Sequence, residues 1–214
     1  MSHITVETTE AVEGRIVQFA ERPIRFDAFL QLSGDSNLEL VNGVMVEKMA
    51  VQLTHEKLFA WLLTLLNLYT KHKHLGIILG SRTAVEISPF GGRLPDILFV
   101  CQDRLDIIRE KAVYGAPDLV IEIVSPNDRP SDIIALETDY RLIGVPEIWF
   151  IDPQKQRVRV LRKREQDYTD EVLMADQLSS EAVEGFHVEV EWLLHEPRPD
   201  ELDTLTQLLS ENLT

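Results

Sequence analysis

Cysteine, basic charge and long apolar runs are all scarce in these 214 residues. The one cysteine, Cys101, excludes an internal disulfide framework and suits a reducing compartment. Lysine and arginine number 21 against 36 aspartates and glutamates, a formal charge of −15. That excludes a protein that coats nucleic acid through a broad basic surface. The most apolar stretch, Leu58 to Tyr69, is interrupted by Thr64 and Asn67 and falls short of the ~20 residues of a membrane span. The opening MSHITVETTEAVEG is acidic and polar, which predicts no secretory signal and a cytoplasmic protein without a membrane anchor. At 44% hydrophobic the chain can bury a core, and no repeat divides it. Residues 1–214 therefore read as one domain, with an N-terminal arm or edge strand at 1–20 and a C-terminal tail at 197–214.

What is present is an alternation of helix and strand signals. A short helix is predicted over 24–32, ending near Ser33-Gly34. LELVNGVMVEKM carries two alternating runs around Asn42-Gly43, the signature of a hairpin with a type I′ turn. Apolar residues recur at helical spacing from His55 to about His72, with Thr54 as N-cap and Gly76 as stop. Strands follow at 77–88, 94–100 and 118–124, the last two separated by a charged stretch, 102–114, that reads as a short helix or a surface connection. Ser131 to Ile143 reads as a helix closed by Gly144, then a strand at 147–152 and another in RVRVLRKR. Residues 167–193 suggest further antiparallel strands, with Val188, Val190 and Trp192 alternating, and the tail carries an amphipathic helix. This order predicts a mixed α/β sheet flanked by helices.

Two acids stand out by their company. Asp96 lies in LPDILFV and Glu122 in LVIEIV, each a lone carboxylate in an apolar run. Burying such a group is costly unless it is paired, protonated or bound to metal. If the two strands pair, both side chains reach one face, and a divalent cation resolves their repulsion. Oxygen ligands of this kind suit Mg²⁺ or Mn²⁺; strand-end or salt-bridged acids are the competing explanation. The basic cluster Arg157, Arg159, Arg162, Lys163 and Arg164 suits phosphate contacts or an edge strand protected by charge. His55 at a helix start reads as structural before functional. Tyr140 and Trp149 read as core aromatics, and Trp61 with its leucine-rich helix as core or as a dimer face.

The succession ELVNG (39–43), His55 opening a long helix, LPD (94–96), APDLVIEIVSP (116–126), Asp132, Tyr140 and GVPEIWFIDP (144–153) resembles the Uma-two family of bacterial restriction endonucleases, a branch of the PD-(D/E)XK nucleases. The resemblance spans about residues 24–162. It implies a restriction-endonuclease-like core, a central mixed β-sheet flanked by helices, here with extra C-terminal antiparallel strands. It also implies a divalent-metal phosphodiesterase site, DNA as substrate and a homodimer. By motif match Asp96 and Glu122 are the metal-holding acids, Glu39 assists near the metal, and the backbone carbonyl of Ile123 is a further oxygen ligand. Val124 stands where the superfamily has lysine. The family moves that lysine to the next helix, in a pattern of Asp, Lys and Tyr at four-residue steps. This chain has Asp132, Leu136 and Tyr140 there, and leucine carries no charge. Arg93, Lys111, Arg129 and Arg141 are the candidates to replace it. The expected activity is therefore a metal-dependent endonuclease. Its alternatives are a decayed nuclease fold serving as a DNA- or protein-binding regulatory module, and a hydrolase of small phosphorylated substrates.

Overall fold

The computed structural model describes residues 6–12, 15–20, 22–33, 37–48, 52–80, 82–165 and 167–211. The chain runs β1 (Val6–Val12), β2 (Arg15–Ala20), α1 (Phe26–Leu32), β3 (Leu38–Val41), β4 (Val44–Glu47), α2 (Leu53–Lys73), β5 (Gly76–Gly80), β6 (Ala84–Ser88) and β7 (Gly91–Arg93). It continues with β8 (Ile97–Cys101), a 3₁₀ turn (Gln102–Ile107), β9 (Ala112–Val113), β10 (Leu119–Ile123), α3 (Pro130–Ile143), β11 (Glu147–Asp152) and β12 (Arg157–Arg164). The last elements are β13 (Asp167–Leu173), β14 (Gln177–Ser179), β15 (His187–Glu189), α4 (Val190–Leu194) and α5 (Glu201–Glu211).

Two sheets carry the molecule. One has the order β13-β12-β11-β10-β8-β5, with β10 parallel to β11 and its other pairs antiparallel; the second has the order β1-β2-β4-β3-β7-β6-β9. Strands β8, β10 and β11 are buried on both faces, which is why their sequences are apolar runs without alternation. Their period of two still sorts the side chains. Ile97, Phe99, Leu119, Ile121, Trp149 and Ile151 join α2, α4 and α5 in one core. Leu98, Val100, Val120, Ile148 and Phe150 join α3 and β6 in another. A third core lies beneath α1, where Gly92 has no Cβ: one built there would meet the Phe26 ring at 2.4 Å.

Several sequence expectations change in three dimensions. The run 77–88 is two strands in different sheets, β5 and β6. Leu94, Pro95 and Asp96 belong to no strand; they carry the chain from β7 in one sheet to β8 in the other, a step that suits a proline without an N–H. Helix α2 starts at Leu53 with Gln52 as N-cap, so Thr54 falls inside it, and it ends on His74 in the left-handed conformation (φ 56°), two residues before Gly76. The 102–114 stretch is the 3₁₀ turn followed by β9. From Val190 the alternating pattern is helical rather than extended, because Val190, Leu193 and Leu194 turn into the α2 core. Strand β12 is covered by β13 and is not an edge. Within the N-terminal arm, 6–12 and 15–20 pair as strands that extend the β3–β4 hairpin; residues 1–5, Gly34 and the last three of the tail lie outside the described residues.

The Asn42-Gly43 turn has positive φ at both positions, 50° and 79°, as a type I′ turn requires. Trp61 is buried, donates its indole N–H to the Pro199 carbonyl at 2.9 Å and packs edge-on against Trp192. The width of the α2 stripe is thus used within the chain by α4 and α5. No described helix is long and apolar enough to cross a membrane.

Candidate active site

The β8–β10 register pairs Ile97 with Ile121 and Leu98 with Val120. One step further, Asp96 falls opposite Glu122, and directly opposed residues share a face. That face is the α3 side, since Val120 and Leu98 both belong to the α3 core. Both acids are buried, at 5% and 4% exposure. They line one cavity of about 170 Å³ together with Glu39, Lys48, His55, Arg93, Ile123, Asp132 and Leu136. The expectation that the two acids meet is met in this geometry.

Each acid is oriented by its own partners. Asp96 Oδ2 accepts the Ile123 backbone N–H at 2.8 Å and lies 3.1 Å from His55 Nε2. An ionised carboxylate only accepts, so His55 donates from Nε2. Burial pushes the Asp96 pKa up, but the His55 hydrogen bond, the Lys48 and His55 charges and the Ile123 N–H outweigh it and hold the group below its ordinary value. Glu122 Oε1 accepts the Tyr140 hydroxyl in a short hydrogen bond. Burial, with Asp96 and Glu39 nearby and only partly offset by Lys48 and Tyr140, pushes Glu122 up to about 8. The same burial and the Glu122 charge drive the Tyr140 hydroxyl well above its ordinary value. Two like charges in one low-dielectric site thus resolve into one ionised and one protonated acid.

Strand β3 brings the third acid. Its pairing with β7, Leu40 opposite Gly92, sets Glu39 beside the start of the LPD crossing. Glu39 accepts Arg93 Nη1 at 2.9 Å and the Leu94 N–H at 3.2 Å, and Arg93 Nε donates onward to Asp139 at 2.7 Å. Lys48, just beyond β4, donates to the Leu94 carbonyl at 2.8 Å and stands 3.7 Å from Asp96 Oδ1 and 3.9 Å from Glu39 Oε1. Although burial works against its charge, Glu122, Asp96 and Glu39 hold the Lys48 ammonium protonated beyond the usual lysine range.

The structure therefore gathers Asp96, Glu122, Glu39, Ile123 and the lysine-pattern position Leu136. It does not bring the arginines of β12 to the cavity. Arg159 binds Glu137 and Asp170, Arg162 binds Glu147 and Glu171, and Arg157 Nε is buried without a partner among the described residues. Of the four candidate replacements for the lysine, only Arg93 lines the cavity. Lys111 lines another, and Arg141 binds Glu137 and Asp167. Sequence reasoning missed Lys48, in an ordinary-looking polar segment after the hairpin, and read Tyr140 as core. The four-residue spacing of Asp132, Leu136 and Tyr140 was the signal that Tyr140 shares the cavity's face.

Among the described residues no group of three His, Cys, Asp or Glu side chains forms a metal cluster. The donor set is smaller: Asp96 Oδ1 and Glu122 Oε2 accept no hydrogen bond among the described residues, and both acids line a cavity. Two hard oxygens and room for water fit an Mg²⁺- or Mn²⁺-like ion that keeps most of its shell as water, and binding it would displace the Glu122 proton.

A family model, Uma2, described as "Putative restriction endonuclease", matches residues 26–191, reaching beyond the motif-bearing region into the C-terminal strands. No curated protein matches the chain. Among solved structures, "a putative nuclease belonging to DUF820" from Anabaena variabilis ATCC 29413 is similar, at 21% identity and a TM-score of 0.68, over 80% of this chain and 98% of that one. At that identity the likeness shows a shared fold.

Proposed function

Because this chain belongs to the Uma2 family, described as "Putative restriction endonuclease", we propose that it is an endonuclease that hydrolyses DNA phosphodiester bonds with Mg²⁺ or Mn²⁺ held by Asp96 and Glu122. The observation that carries this reading is the meeting of these two buried acids across the β8–β10 ladder, at a cavity with room for water. The Ile123 carbonyl is the assigned third oxygen ligand. When bound, the cation neutralises charge on the phosphate and lowers the pKa of water.

The protein's own groups prepare the site. His55 and the Ile123 N–H hold the Asp96 carboxylate ionised and fix its orientation. Tyr140 fixes the orientation of Glu122 through one oxygen, and the other accepts no hydrogen bond among the described residues. Arg93 clamps Glu39, so that this third acid stays oriented at the cavity beside the LPD crossing. A cavity of about 170 Å³ lined by these acids suits a phosphate of the DNA backbone with its waters.

Supercoiled plasmid with Mg²⁺ or Mn²⁺ tests the proposal. The wild-type protein is expected to convert plasmid to the nicked form, and Asp96→Ala and Glu122→Gln to lose this activity along with calorimetric Mn²⁺ binding. Nicking that persists in Asp96→Ala, or a wild type silent with both cations, overturns it.

A further inference from the structure

We propose that Lys48 is a catalytic residue of this site: its ammonium hydrogen-bonds a non-bridging oxygen of the scissile phosphate and stabilises the negative charge that grows there. The proposal rests on the nuclease reading above and adds a residue that neither sequence motif nor family match assigns.

Among the described residues two Lys or Arg side chains line the cavity, Lys48 and Arg93. Arg93 is already engaged by two carboxylates, at 2.9 and 2.7 Å. Lys48 is engaged by one carbonyl, Leu94, at 2.8 Å. Its nearest carboxylate oxygens, at 3.7 and 3.9 Å, lie beyond hydrogen-bonding distance. An ammonium has three donors, so two N–H vectors stay available for a ligand. The side chain is 25% exposed, enough to meet a group entering from solvent. The ammonium is tethered by a carbonyl, which leaves donors for a phosphate oxygen that enters beside it.

The supports are rigid. The hairpin is pinned at its turn by the Gly43 N–H to the Phe90 carbonyl, at 2.7 Å, and at its open end by the Lys48 N–H to the Asn37 carbonyl, at 2.9 Å. In the step itself a water oxygen forms a bond to phosphorus as one phosphorus–oxygen ester bond breaks. The water's proton passes to solvent, the departing alkoxide takes up a proton, and Lys48 keeps its own throughout. Preorganised donors of this kind contribute on the order of 10²–10³ in rate. Leu136 lines the same cavity from α3 and offers no charge, which provides an internal control.

The test compares wild type, Lys48→Met, Lys48→Arg, Leu136→Lys and Lys48→Met combined with Leu136→Lys. Plasmid nicking, calorimetric Mn²⁺ titration and thermal melting are read for each. Lys48→Met is expected to nick on the order of 10²–10³ more slowly and yet bind Mn²⁺ several-fold more tightly, since a like charge has left the side of Asp96. Lys48→Arg keeps most of the rate, and the double variant recovers it from the opposite wall. A structural lysine would not be rescued from another element. Lys48→Met nicking at the wild-type rate, or a well-folded double variant as slow as Lys48→Met, overturns this inference and leaves the nuclease reading standing. If Lys48→Met does not fold, a folded Lys48→Arg that has lost the rate overturns it equally. A wild type that never nicks overturns both.

Discussion

Asp96 and Glu122 are near neighbours of one chemical kind, yet their environments drive them apart: the donors at Asp96 favour charge, and the burial of Glu122 favours a proton. The difference has a consequence for stability. Unfolded, Glu122 ionises near 4.5, whereas the folded chain holds its proton to about 8. Between these values the folded state binds more protons than the unfolded one. Glu122's contribution to stability is thus full below about 4.5 and is lost as pH rises toward about 8. In metal-free buffer, melting temperatures of wild type and Glu122→Gln should diverge in the variant's favour over this range; parallel curves would exclude the shifted acid. At this scale the sequence was partly readable. A lone acid in LVIEIV announces itself because its neighbours are all apolar. Lys48 in EKMA does not, because an exposed-looking lysine after a hairpin is ordinary until the crossing at Leu94 is folded against it.

Helices and strands follow the same division. The period of α3 placed Asp132, Leu136 and Tyr140 on one face, and the structure sets that face on the cavity. The β12 strand shows what period alone does not settle. Its arginines looked available for phosphate, but acids of α3, β11, β13 and the segment after β14 take up Arg159, Arg162 and Arg164. Glu147 is the centre of that arrangement. Its 1%-exposed carboxylate accepts Arg162, the Ser180 hydroxyl and the N–H groups of Glu181 and Ala182, fastening the turn after β14 to the main sheet. Removing one member of a buried ion pair commonly costs 3–5 kcal/mol. Glu147→Ala should therefore lower urea-unfolding stability by about that amount. A loss under about 1 kcal/mol, typical of an exposed pair, would show that the carboxylate is not the fastening.

For the molecule as a whole, the charge of −15 and the pairing of Arg159 and Arg162 with acids oppose broad electrostatic binding of DNA. Binding should then depend on the divalent cation and a few phosphate contacts. Each neutralised phosphate adds a slope of ~0.9 to the fall of log affinity with log salt, so a slope below about 3 is expected in fluorescence anisotropy with Mn²⁺ and Asp96→Ala protein as reference. A much steeper slope would reveal a broad basic contact surface and overturn this expectation.

By itself the sequence determined most of the helices and strands, through their periods, and which two carboxylates had to find a partner, through their apolar neighbours. It also determined the family, through motifs spread over much of the chain. Tertiary structure decided that the LPD segment crosses between sheets, that Glu39 is held by Arg93, and that Lys48 from the end of the hairpin lines the same cavity. Those facts depend on side chains far apart in the chain meeting across two sheets, and local patterning carries no record of distance in space.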